Sequence, residues 1–260
     1  MPFAAGRSQP EDRVGVRVDL RRQRRELCAT RSRQRLVRVD DVVLEIGPGL
    51  GVLTRFLAER VAFVHAVEVD RRLERELGGI PRTRVHWGDA LALDLSAFDP
   101  TPHKLVSNLP YNVATPLVVE SLELDGIGAW CVMVQREVAD RFFAEPSTKA
   151  YGAVSVLVRL AAERTGFHPV SREVFRPRPN VDSALVAFRR VAPAASPQVK
   201  RLVQAAFSHR RKTLANALAL AGLCAREDAV ARLAAIGRSA GVRAEELEPA
   251  EFVALAEIPG

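Results

Sequence analysis

Four consecutive residues, Asn108-Leu109-Pro110-Tyr111, have the types needed to hold an aromatic exocyclic amine. Such an amine is a poor nucleophile because its lone pair is delocalised into the ring. A catalyst must therefore hold the amine hydrogens and let the lone pair point at an incoming methyl group. The Asn108 side-chain oxygen and the Leu109 carbonyl can accept those hydrogens, Tyr111 offers a ring on which the base can stack, and Pro110 fixes the turn. No general base of shifted pKa is required, since the proton is acidified once the methyl arrives. Taken alone, the same four residues also fit an ordinary turn with a surface Tyr.

A second group lies upstream. Gly47-x-Gly49-x-Gly51 follows a β-branched run, and Glu68 stands 21 residues beyond Gly47. Glycines let backbone approach a ligand, and an acid at about that distance can accept both hydroxyls of an adenosine ribose. The spacing is not the G-x-G-x-x-G of dinucleotide binders, and no Gly-Lys-Ser/Thr is present for a triphosphate. S-adenosylmethionine, which has no phosphate and carries a sulfonium cation, suits this pattern better. Asp89, in Gly88-Asp89-Ala90, could accept from the adenine amine or simply cap a helix.

These residues need a scaffold that brings strand ends together. Val42–Ile46, Ala62–Val67, Arg84–Trp87, Lys104–Ser107, Ala129–Val134 and Asp182–Arg189 read as strands. Helical spacing follows Gly51, and Arg71–Leu77, Thr115–Leu124 and Arg136–Phe143 read as helices. The alternation predicts an α/β fold, a mostly parallel sheet with helices on both faces, over residues 41–191. Beyond a short Ala/Pro linker, residues 198–260 are Ala/Leu-rich and predict a small all-helical C-terminal domain. Ser196-Pro197 marks a helix start, and Gly222, Gly237 and Gly241 mark helix ends.

Composition excludes several classes. With 48% apolar residues in 260, the chain can build a real core. Its apolar stretches are far short of the ~20 residues that span a bilayer, and there is no secretory signal. Cys28, Cys131 and Cys224 are widely spaced and support neither a disulfide framework nor a metal site, so a reducing cytoplasm is expected. Of the +7 net charge, eleven Arg against five acids place +6 within residues 1–40, which leaves the other 220 residues almost neutral. Nucleic-acid contact is thus expected from local patches. One comprises Arg176 and Arg178 in the Arg-rich stretch 172–190, and the other Arg210, Arg211 and Lys212.

The ordered set Leu44–Gly51, Val67–Asp70, Gly88–Ala90, Asn108–Tyr111, Gln135–Val138, Lys149–Gly152, Phe175–Ser183 and Phe207–Leu218 resembles the ribosomal RNA adenine dimethyltransferases, and within them the bacterial small-subunit branch. The resemblance runs from about Asp41 to about Leu220. It implies a Rossmann-like class I methyltransferase that moves methyl groups from S-adenosylmethionine to the exocyclic amines of two adjacent adenosines of 16S rRNA in the small ribosomal subunit. It further implies that Gly47, Glu68, Asp89 and Asn108 hold cofactor, that Asn108, Leu109, Pro110 and Tyr111 hold the target amine, and that Phe175 sandwiches the flipped base against Tyr111. A monomer without metal or membrane attachment is expected.

The first forty residues depart from that family, whose members open with a Gln-Asn-Phe-Leu string and a helix closing over the cofactor. Here the place holds Asp19–Cys28 and Arg31–Arg35, an Arg-dense segment without an apolar stripe wide enough for a core helix. An RNA-binding arm, a functional divergence, and a shifted reading frame or misplaced start compete. The abrupt resumption of the pattern at Asp41 favours the last. Two rival functions follow: a 23S rRNA methyltransferase of the antibiotic-resistance type, or a non-catalytic ribosome-assembly protein.

Overall fold

The computed structural model describes residues 37–176 and 178–258, together with the backbone of Arg17–Val18. The expectations for residues 1–36 otherwise fall outside the described residues.

Seven strands form one sheet: β1 (Val42–Ile46), β2 (Phe63–Glu68), β3 (Thr83–Trp87), β4 (Lys104–Asn108), β5 (Ala129–Gln135), β6 (Ala162–Val170) and β7 (Ser183–Arg190). Their order is β3-β2-β1-β4-β5-β7-β6. Only β7 runs antiparallel to its neighbours. Every residue of β1 is buried, as a central strand covered on both faces must be, which is why it reads as a nearly unbroken apolar run.

Side chains alternate between two cores. Leu44, Ile46, Leu105, Trp130 and Phe188 meet α3 (Ala114–Ser121), α4 (Arg136–Phe142) and α5 (Ala153–Ala161). Val43, Val64, Val106, Cys131 and Met133 meet α1 (Val52–Ala58) and α2 (Glu74–Leu77) on the opposite face. Burial pushes the Cys131 thiol up to about 12, so it serves as packing.

Helix α5 and strand β6 have no counterpart in the elements read from sequence. Strand β6 occupies the sheet edge, where a strand can carry charge, Pro169 and a register shift between Arg164 and Gly166. The expected helix over Arg71–Leu77 is a 3-10 turn, Arg71–Leu73, that runs into the single turn of α2.

On the other edge, β2 and β3 are joined by a histidine pair. His65 Nε2 lies 2.8 Å from the Pro100 carbonyl and His65 Nδ1 2.9 Å from His86 Nε2. The carbonyl can only accept, so His65 carries its proton on Nε2 and accepts from His86 on Nδ1. The His86 ring stacks on Phe98 at 3.8 Å.

Four helices follow the linker: α6 (Pro197–Ser208), α7 (Leu214–Leu220), α8 (Arg226–Ala235) and α9 (Pro249–Glu257). Ser196 caps α6 by accepting from Val199 N with Pro197 in the first turn. Gly222 and Gly237 follow α7 and α8, whereas Gly241 ends no helix. This helical module shares a core with the sheet domain: Tyr151, Val156 and Leu157 pack with Leu202, Leu214 and Phe252. The buried Tyr151 hydroxyl donates to the Leu247 carbonyl at 2.7 Å. Arg210 donates to the Tyr151 carbonyl at 2.9 Å and lies 3.5 Å from Glu245. Among the described residues no helix is long and apolar enough to cross a membrane, and no cluster of His, Cys, Asp or Glu could hold a metal.

Candidate active site at the carboxyl edge of the sheet

The strand order reverses between β1 and β4, and ligands of open α/β sheets bind beyond the strand ends at such a point. The two strands pair only at Val43–Lys104 and Leu44–Leu105. Past Leu44 the backbone ladder stops, and the buried Ser107 hydroxyl donates to the Ile46 carbonyl at 2.5 Å. One side-chain bond thus ties the two strands where their ends begin to part.

The glycine turn and the Asn108–Tyr111 turn leave these two ends side by side. A Cβ on Gly47 would meet Pro110 Cγ at 3.3 Å, so a side chain there would push the two turns apart. Gly49 has φ +55° with open space around its Cα, which leaves bare backbone facing the crevice.

Glu68 ends β2 nearly buried, at 7% exposure. Its Oε2 accepts from Gly49 N at 3.1 Å, and its Oε1 accepts from Val69 N and Asp70 N at 2.9 Å each. Three backbone donors therefore lock the carboxylate against the glycine turn. Asp89, beyond β3, is exposed. Its Oδ1 accepts from Leu91 N at 3.0 Å and its carbonyl from Ala92 N and Leu93 N, so it shapes its own turn as a cap would.

Asn108 is half-buried and Leu109 is buried. Leu109 N donates to the Met133 carbonyl at 3.1 Å. Among the described residues no donor takes the Leu109 carbonyl, which remains available as an acceptor beside the Asn108 side chain. The Tyr111 hydroxyl lies 2.7 Å from Ser183 Oγ. Burial raises the Tyr111 pKa, with Ser183 opposing, so the phenol stays protonated.

The remaining expected residues are not gathered around this crevice as they stand. Phe175 is 1% exposed within the core formed with Val174 and Leu185, and its backbone pairs with Val18. It is a core anchor here, with no face open to a base. Arg176 pairs with Arg17 through backbone, and the exposed Arg178 lies 3.6 Å from Glu173. Arg211 and Lys212 are exposed at the turn between α6 and α7, whereas Arg210 is engaged in the contacts between the two modules.

Sequence reasoning missed three features. Val69 and Leu91 are 55% and 42% exposed, apolar side chains one residue after Glu68 and two after Asp89, and exposed apolar residues at a crevice offer faces to a flat ring. Glu45 is 2% exposed in the middle of β1. Its Oε2 and the Thr54 hydroxyl are buried without hydrogen-bond partners among the described residues. Burial drives its pKa up to about 8 against a small lowering by Thr54, and Glu68 adds to the rise. The signal was a lone charge in an otherwise apolar strand.

Acceptors predominate in the crevice: the Glu68 carboxylate, the Asp89 carboxylate, the Leu109 carbonyl and the Asn108 side-chain oxygen. That donor-poor lining, with open space over Gly49 and apolar Val69 and Leu91, fits S-adenosylmethionine, whose nucleoside presents hydroxyls and an amine and whose sulfonium carries positive charge.

Comparison with known proteins gives a consistent result. The profile of a family described as ribosomal RNA adenine dimethylase matches residues 33–258. The ribosomal RNA small subunit methyltransferase A of Rubrobacter xylanophilus is 48% identical over 222 residues, 83% of this chain and 84% of that protein. The protein of the same name from Streptomyces griseus is 40% identical over 266 aligned residues, covering 94% of this chain and 90% of that protein. Only 6% of 260 residues, about 16, then lie outside the match, so it reaches into the Arg-rich first forty. Among solved structures, a dimethyladenosine transferase from Plasmodium falciparum has a TM-score of 0.67 at 23% identity, covering 84% of this chain and 90% of that one. The 23S rRNA methyltransferase ErmE has a TM-score of 0.61 at 27% identity, covering 92% and 98%.

Proposed function

Because the chain belongs to the ribosomal RNA adenine dimethylase family, we propose that its crevice between β1 and β4 is the methyl-transfer site of a 16S rRNA adenine dimethyltransferase. The enzyme depends on S-adenosylmethionine and modifies RNA of the small ribosomal subunit. Two adjacent adenosines are its targets, and it acts as a cytoplasmic monomer. The observation that carries this reading is the close approach of Pro110 to Gly47, which sets the nucleoside-type turn beside the amine-holding turn at the switch point.

Glu68, locked by three backbone N–H groups, would hold the ribose hydroxyls, Asp89 the adenine amine, and Val69 and Leu91 the faces of the adenine ring. Gly49, bare and in open space, leaves room for the rest of the cofactor. When bound, S-adenosylmethionine supplies a methyl group made electrophilic by its sulfonium charge. Asn108 Oδ1 and the Leu109 carbonyl each accept one hydrogen of the target amine, which turns the nitrogen lone pair out of conjugation and towards the methyl. Tyr111 presents a ring for the base that has left its stack. The chain holds no proton for this step. Glu45, buried and with its pKa pushed up to about 8, takes no part, and the amine proton passes to solvent once alkylation has acidified it.

The test is incubation with small subunits that lack the adenine methylations and with cofactor labelled in its methyl group. Label should appear in 16S rRNA and fall at least ~100-fold with Asn108→Ala. Label in 23S rRNA alone, or no transfer by the wild-type chain, would overturn the assignment.

A further inference from the structure

The Phe175–Ser183 stretch ends in a residue that takes no part in holding cofactor or amine. Ser183 opens β7 at 0% exposure. It is clamped on both sides, paired with Gln135 of β5 and with Val170 of β6. The residue before it is clamped as well. The Asp182 carbonyl accepts from Arg136 N and its Oδ1 from Arg172 N, each at 2.9 Å, and Arg172 Nη1 donates to the Asn180 carbonyl at 2.9 Å. This small knot leaves the Ser183 hydroxyl little freedom, and it points at the Tyr111 hydroxyl, 2.7 Å away.

Tyr111 itself stands on a turn. Val113 N donates to the Pro110 carbonyl, and α3 begins only at Ala114, so the half-buried Tyr111 belongs to the turn and not to the helix. A ring fixed only at its Cα swings about χ1. A ring also fixed at its phenol oxygen, which lies on the axis through Cβ, Cγ and Cζ, keeps that axis in one place while both faces remain free of the tether.

We propose that Ser183 is a positioning residue, which fixes the long axis of the Tyr111 ring through the phenol and thereby sets where the target base stacks relative to Asn108 and Leu109. This rests on the reading of Tyr111 as the stacking surface. Misalignment of a reacting amine by a fraction of an ångström is costly because the near-attack geometry is narrow. The sheet sets this alignment, since Ser183 and Tyr111 are 72 residues apart in sequence and meet only when β7 is seated between β5 and β6.

The experiment uses the full chain, small subunits lacking the methylations, and methyl-labelled cofactor, with kcat and KM measured for both substrates. Ser183→Ala should lower kcat about tenfold while the KM for cofactor moves by less than about twofold. Ser183→Thr, which keeps the hydroxyl, should recover most of kcat. Tyr111→Phe should reproduce the Ser183→Ala loss, and the double variant should be no worse than the more damaging single. Losses that multiply in the double variant would overturn the proposal. So would wild-type kcat in Tyr111→Phe, which decides the matter even if Ser183→Ala does not fold. The underlying reading is tested separately by Tyr111→Ala. A collapse of kcat there alongside multiplying losses leaves the stacking surface standing without Ser183, whereas unchanged kcat overturns both.

Discussion

Replacing Glu45 by Gln removes a titrating group from the middle of β1 while keeping its size. In the folded chain the carboxyl sits near pKa 8, against 4.5 when unperturbed. A raised folded pKa means that the native state keeps a proton the unfolded state has lost between those values. The stability associated with Glu45 is therefore fully present below pH 4.5 and lost as pH rises through 8. One pH unit between the unfolded and folded values is worth ~1.4 kcal/mol, so the wild type should lose roughly 3–5 kcal/mol across this window on account of this one group. Glu45→Gln should lose none of it. Urea unfolding of both chains at intervals from about pH 5 to about pH 8 measures the difference directly, and a constant offset from burying the amide cancels in its pH dependence. The Gln chain should gain on the wild type steadily with pH. A difference that stays flat over the whole interval would refute the assignment of a neutral buried carboxyl at Glu45.

Three further outcomes are expected. Burial, the adjacent His65 ring and Arg84 push His86 down to about 4, so its contribution is intact above pH 6.5 and lost as pH falls towards 4. In the Glu45→Gln background, acid should remove about 1–2 kcal/mol after allowance for partial exposure, and His86→Phe should flatten that limb in urea titrations. Tyr151→Phe leaves the Leu247 carbonyl buried without its donor and should cost about 1–3 kcal/mol in chemical denaturation; an unchanged midpoint would place the contact outside the stabilising set. Arg211→Ala with Lys212→Ala should weaken small-subunit binding and reduce its salt dependence by about two charges without shifting the melting temperature, whereas Arg210→Ala should shift that temperature, since Arg210 ties the two modules together.

The central strands were legible because burial on both faces writes itself as continuous apolar sequence, as in Val42–Ile46 and Ala129–Gln135. The candidate site could be nominated where the sequence holds residue types that packing does not demand, as in Asn108–Tyr111 and the glycine turn, and the fold brings those two turns to neighbouring strand ends. Strand β6 was not, because an edge strand is permitted the Pro169, Gly166 and charged residues that argue against strands elsewhere. Helix α5 was obscured by Val154, Val156 and Val158, β-branched residues that suit either period when both sides are covered. Phe175 was ambiguous for a similar reason: an aromatic beside prolines has the same type whether it faces a crevice or a core, and only three-dimensional neighbours separate the two. Ser183 could not be linked to Tyr111 from spacing at all, since their meeting depends on β7 running against the direction of the other strands.

The common core beneath Tyr151 and Phe252 gives the molecule the properties of a calliper. Two bodies joined by a flexible tether sample many separations, whereas two that bury the same side chains hold one. The turn carrying Arg211 and Lys212 therefore stands at a set distance from Asn108. On the function proposed above, that fixed span would let the shape of the folded RNA, and not base edges alone, select the adenosine.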